Sequence, residues 1–152
     1  MKKSIIVVVI LLLILGVAMY FYVDDRLEES FSTDVNIEKV SFEEVGANLY
    51  LKQKVWGMTS DSKVTIISTN SSQSFEEDPN AEYVYSSGST LFFRTVNDTL
   101  EIFSMTLAKE PSNFDSRIKV RQVRISNPEF IFLNENYKKE GLSRFPQAGA
   151  GM

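Results

Sequence analysis

Residues 5–23, IIVVVILLLILGVAMYFYV, carry no charge and lie between Lys2-Lys3 and Asp24-Asp25. This run constrains the chain more than any other feature. Nineteen residues at about 1.5 Å each make about 29 Å of helix, close to the ~30 Å hydrocarbon core of a bilayer. A single transmembrane helix is therefore expected, with the lysines on the cytoplasmic side and everything after Asp24 beyond the membrane. Tyr20 and Tyr22 fall where interfacial aromatic residues belong. The competing reading is a cleaved secretory leader, because Gly16-Val17-Ala18 has the small-x-small form of a cleavage site. Cleavage there leaves Met19-Tyr20-Phe21-Tyr22-Val23 as an exposed apolar start, so a retained anchor is the expectation. Lipid attachment to a processed N-terminus needs a cysteine, and the chain has none.

Beyond the anchor, residues 24–152 suffice for one domain. Setting Lys2 and Lys3 aside leaves 14 basic against 20 acidic residues, a net charge of −6, the wrong balance for neutralising phosphates, so nucleic acid is not an expected partner. Without cysteine there are no disulfides, thiolate zinc sites or cysteine nucleophiles. Without histidine the commonest general base and transition-metal ligand are missing, and a Ser-His-Asp triad is impossible. No G-x-S-x-G elbow occurs. The expectation is a protein that is not an enzyme and needs no metal or cofactor. The remaining catalytic reading is a hydrolase built on carboxylates or a Ser-Lys pair.

The segment 24–34, DDRLEESFSTD, reads as a short polar stalk. Stretches rich in Val, Ile, Thr, Phe and Tyr then alternate with Ser, Asn, Asp and Gly clusters, the pattern of short strands joined by turns. Strands are predicted at 35–42, 48–57, 63–69, 82–86, 90–96, 99–106, 118–125 and 129–133. The fold expected is mainly β: a transmembrane helix at 1–23, the stalk, then a small β-sandwich or partly open β-barrel over 35–133. Residues 134–152 read as a C-terminal tail, with 136–141 as its candidate short helix.

TLFFRTV-ND-TLEIFSM is the clearest hairpin, with Asn97-Asp98 suited to the positive φ angles of a two-residue type I′ turn. That turn opposes Arg94 to Glu101, Phe93 to Ile102, and Phe92 to Phe103. Both faces of the hairpin are apolar, which suits the middle of a domain. In RIKVRQVRI the apolar residues Ile118, Val120, Val123 and Ile125 step by two, three and two, so a β-bulge near Arg121-Gln122 is predicted.

Two surfaces are candidates for binding. In NLYLKQKVWG, alternation puts Leu49, Leu51 and Val55 on a core face and Tyr50, Lys52, Lys54 and Trp56 on the other. Arg117, Lys119 and Arg121 share one face of a later strand, a basic stripe suited to an anionic partner or to acidic neighbours within the domain. Glu76, Glu77 and Asp78 lack the alternating ligands and glycine of a calcium loop and read as a mobile acidic connection.

KVWGMTSDSKVTIIS, EYVYSSGSTLFFRTVNDTLEIF and NENYKKEGLSRF together resemble a group of short, membrane-anchored, uncharacterised β-domain proteins of Bacteroidota-type bacteria. The resemblance implies an inner-membrane anchor with a periplasmic β domain and carries over no functional residue. The function expected is a non-enzymatic, single-pass interaction module, held in the bilayer by residues 5–23, that binds an envelope protein or membrane complex. The alternative is a periplasmic sensor or carrier of a small molecule or lipid, with Tyr83, Tyr85, Phe92 and Trp56 lining a barrel mouth.

Overall fold

The computed structural model describes residues 34–56, 62–73, 75–86, 90–114 and 117–147. The apolar run 5–23 and the stalk up to residue 33 lie outside the described residues. Among those described, no helix is long and apolar enough to cross a membrane. The chain forms β1 (Asp34–Phe42), β2 (Ala47–Trp56), β3 (Ser62–Ser68), β4 (Tyr83–Tyr85), β5 (Leu91–Val96), β6 (Thr99–Ser104), β7 (Lys119–Arg124), α1 (Asn127–Asn136) and β8 (Ser143–Phe145). These strands make two four-stranded sheets, ordered β1-β2-β3-β4 and β7-β6-β5-β8. The first is an antiparallel meander, and the second is antiparallel except for the parallel β6–β7 pair. Of the two predicted architectures, the chain takes the sandwich.

Period-two alternation builds the core between the sheets. Val40, Phe42, Leu49, Leu51, Ile67, Tyr83 and Tyr85 of the first sheet meet Leu91, Phe93, Leu100, Ile102 and Phe145 of the second. Fully burying one such side chain is worth about 1.5–3 kcal/mol, so this layer outweighs any single polar contact described below. At the β1–β2 connection Gly46 takes φ 61°, a left-handed conformation that suits glycine, and its N–H donates to the Glu43 carbonyl at 3.3 Å.

The β5–β6 hairpin has the predicted register from Val96 opposite Thr99 through Phe92 opposite Phe103. Its turn differs in detail. Asn97 has φ 54° while Asp98 has no positive φ, so the turn lacks the second positive angle of type I′. Phe93 and Ile102 face the first sheet, whereas Phe92 turns outward to a second cluster with Ile125 and Leu142, against which Phe103, Phe130, Leu133 and Tyr137 pack. The two apolar faces of the hairpin thus have two separate coverings.

Three predicted details are corrected. β7 pairs with β6 in continuous register from Lys119 to Arg124, leaving no place for a bulge at Arg121-Gln122. Ile118 and Val120 serve the inter-sheet core while Ile125 serves the cluster under α1, so the step of three is a change of face. The strand predicted at 129–133 is helix. Ser126 caps α1: its hydroxyl accepts from the Glu129 N–H, the Glu129 carboxylate accepts from the Ser126 N–H, and Pro128 lies in the first turn. β8 then brings Phe145 into the core, so the sandwich takes in part of the segment read as a tail.

The acidic connection after β3 is organised by local bonds. The Asn70 side chain accepts from the Ser72 N–H at 2.9 Å, Asp78 accepts from the Asn80 N–H at 2.9 Å, and the Glu82 carboxylate accepts from the Asp78 N–H at 3.3 Å. These are the side-chain turns that Asn and Asp make in place of a ladder. The Asp78 and Glu82 side chains here serve backbone geometry.

Candidate functional site

Register settles how the predicted binding residues are grouped. Lys39 opposes Tyr50, Lys54 opposes Val35, and Ile37 opposes Lys52, so all six lie on the outer face of the first sheet. Tyr50 and Trp56 share that face six positions apart on β2, about 20 Å along the strand. The face is only partly open. Lys52 is buried, at 1% exposure, and Tyr50, Lys54 and Trp56 are half-buried. The Lys54 ammonium lies 5.9 Å from the Trp56 ring centre and 5.9 Å from that of Phe75, so the connection after β3 approaches this face. Such cation–ring contacts are worth about 0.5–1 kcal/mol at exposed sites. Val35 and Ile37, towards the β1 edge, are the large apolar side chains this face leaves exposed.

Lys119 and Arg121 lie on the opposite side of the molecule, on the outer face of the second sheet. Arg117 is an exposed residue just before β7. The stripe is paired within the domain. Lys119 Nζ lies 2.9 Å from Asp98 Oδ2, and Arg121 and Arg94 clasp the two Glu101 carboxylate oxygens at 2.9 and 2.7 Å. The hydrogen bond from Arg94, with the Arg121 charge behind it, holds the Glu101 carboxyl below the usual carboxylate range despite its burial. Asp98 is lowered chiefly by its hydrogen bond to Lys119. An anionic partner here must compete with carboxylates already in place, and with two guanidinium groups on one carboxylate the patch stays cationic.

A groove of about 450 Å³ runs beside α1 where the helix packs on the outer face of the second sheet. Phe103, Val123 and Leu133 line it, Phe132 forms part of its wall, and Arg94, Arg124, Glu129 and Glu140 lie along it. The sequence pattern predicts a strand at 129–133 in place of the helix that builds this groove, so the groove is not among the sequence-derived candidates. The capping sequence Ser126-Asn127-Pro128-Glu129 was the available signal.

The four aromatic residues expected around a barrel mouth do not converge. Tyr83 and Tyr85 belong to the inter-sheet core, Phe92 lies under α1, and Trp56 is on the outer face of the first sheet. Tyr85 is fixed by polar contacts. Its hydroxyl donates to Gln122 Oε1 at 2.8 Å, the Ala108 N–H donates to the same oxygen at 2.8 Å, and Gln122 Nε2 donates to the Ala108 carbonyl at 3.0 Å. Burial pushes the Tyr85 phenol upward, so it remains a neutral donor. Among the described residues no group of three or more acidic, histidine or cysteine side chains is placed to hold a metal ion. No protein-family model, curated protein or solved structure matches the chain.

Proposed function

We propose that the protein is a membrane-anchored interaction module whose sandwich, placed outside the cytoplasm by the apolar run 5–23, binds another protein of the cell envelope. The observation carrying this reading is the filled space between the sheets. Leu49, Leu51, Ile67, Leu91, Leu100 and Ile102 are each 0% exposed there, so a ligand has no room between the layers and binding falls to the outer surfaces. The outer face of the first sheet, with Tyr50 and Trp56 beside exposed Val35 and Ile37, is the better contact. Its aromatic rings supply contact area at low entropic cost, and the stripe at Arg117, Lys119 and Arg121 is partly neutralised.

The sensor or carrier reading shifts to the groove under α1, where apolar residues lie beside Arg94, Arg124, Glu129 and Glu140 and would suit a small amphipathic molecule. Extraction of the full chain in mild detergent, followed by identification of both proteins and small molecules that travel with it, separates the two. A stoichiometric protein lost with Trp56→Ala at every salt concentration supports the first-sheet contact. Loss only with Lys119→Glu and Arg121→Glu, weakening with salt, moves the contact to the stripe. A bound lipid or small molecule without a protein overturns the interaction reading. Protease treatment of spheroplasts tests the topology, which fails if residues after Asp24 are protected.

A further inference from the structure

The four edge strands of the sandwich are β1, β4, β7 and β8. An edge offers unpaired backbone groups, and proteins blunt such edges with short strands, charges, prolines or bulges. β4 and β8 are three residues each. β7 carries Lys119, Arg121 and Arg124 and is bound into ion pairs. β1 is nine residues long, has no proline, and pairs with β2 without interruption from Asp34 to Phe42. Three shallow concavities flank it: one reaches Phe145, Pro146 and Gln147, one Phe93 to Thr95, and one Tyr137 and Arg144. β8 is too short to close that side of the sandwich.

We propose that β1 is a self-association edge, joining antiparallel with β1 of a second copy about a two-fold axis at Ile37. Continuing one sheet through such an axis keeps the outer faces together, so the axis passes through a residue and opposed positions have numbers of equal parity. Three axes engage at least seven of the nine residues of the strand. An axis at Glu38 sets two carboxylates directly opposite, and an axis at Lys39 does the same with two ammonium groups, both destabilising. An axis at Ile37 avoids like charges and pairs residues 34–40. It sets Ile37 against Ile37 of the partner subunit, Val35 against the partner's Lys39, and Asn36 against the partner's Glu38. The exposed Val35 and Ile37 gain apolar cover, and the Asn36 amide gains a carboxylate acceptor. Burial pushes the Glu38 carboxyl upward against its hydrogen bond with Gln147, so a further donor is favourable there. Glu38 and Lys39 thus select one register, discriminating by repulsion against its neighbours. The proposal rests on the geometry of β1 and holds whether or not residues 5–23 span a membrane.

Single cysteines read the axis directly, because the chain has no other cysteine. Residues opposed on a two-fold axis have Cα atoms about 4.5–5.5 Å apart, inside the range a disulfide spans. Val35 and its symmetry mate lie about 14 Å apart along the strands, as do the two copies of Lys39, well outside that range. Full-length Ile37→Cys, oxidised as it is expressed, should shift from 17.3 kDa to twice that mass for most of the chain. Val35→Cys or Lys39→Cys alone should stay monomeric, while the two mixed together should cross-link. Pairing over so short a stretch is a modest interface, so a covalent trap reads it where sizing would not. Circular dichroism on each variant establishes that it is folded. A folded Ile37→Cys chain that stays monomeric overturns the proposal, as do equal cross-linking at all three positions or a cross-link to a different protein. Cross-linking of Lys39→Cys alone overturns the register.

Discussion

On β7, Lys119 and Arg121 reach across to Asp98 and Glu101 at 2.9 Å each, whereas on β1 Lys39 is exposed and Glu38 faces Gln147 at the open side of the sandwich. The two edges carry three charged residues each, with opposite results. Glu101 is lowered by its arginines and Glu38 is raised by burial. The parallel β6–β7 pairing sets Glu101 beside Arg121, and the hairpin sets it beside Arg94. The neighbour of β1 on the same face offers Leu51, which answers no charge. Whether a charged edge is closed or open depends on the next strand more than on the edge's own sequence.

Five substitutions test that contrast. Phe93→Ala removes a core ring from beneath both sheets and should cost about 3–5 kcal/mol in urea unfolding. A loss under about 1 kcal/mol would mean the sheets do not share one core. Gln122→Ala strips the groups that tie β7 to Tyr85 and to the Ala108 backbone, and leaving those partners unpaired should cost about 2–4 kcal/mol. Tyr85→Phe, which leaves the Ala108 bonds intact, should cost about 1 kcal/mol.

Glu101→Gln should cost about 1 kcal/mol at neutral pH, since its arginine partners are largely exposed. Its sharper signature is the pH profile. A carboxyl lowered in the folded state gives stability above its unfolded value that is lost as pH falls through the folded one. The variant should lack that part of the acid loss. Glu38→Gln should fall within about 0.5 kcal/mol of wild type at neutral pH and carry the opposite sign. A raised carboxyl gives stability that is full below its unfolded value and lost as pH rises through the folded one, so the wild-type advantage on acidification should vanish in the variant. If both glutamates act with the same sign, the contrast between the edges fails.

Where a signal was local, the sequence was informative. The two-residue turn at Asn97-Asp98 set every pair of the β5–β6 hairpin, and alternation in β2 separated Leu49 and Leu51 from Tyr50 and Trp56. Signals were lost where both sides of an element are apolar. On α1, Phe130 and Leu133 pack inward while Ile131 and Phe132 are more than half exposed. No stripe marks such a helix, and FIFL resembles a buried strand. On β7 two coverings imitate a bulge. The grouping of Arg94, Glu101 and Arg121 needed the β6–β7 pairing, which joins residues far apart in the chain, and no spacing rule supplies that. Tyr50 and Trp56 were placed on the right face, but burial of Lys52 among them depends on tertiary packing.

The parallel β6–β7 pair also bears on the order of events when the chain folds. Neither it nor the β5–β8 pair is closed by a tight turn: residues 105–118 must be laid down between β6 and β7, and residues 97–142 between β5 and β8. Loop closure favours the β5–β6 and β1–β2 hairpins first, with β7 docking later, when Gln122 meets Ala108. Mutations at Gln122 should then act mainly on the unfolding rate and those in the β5–β6 hairpin mainly on the folding rate. Ion pairs made by β7 would govern how long the native state persists more than how quickly it is reached.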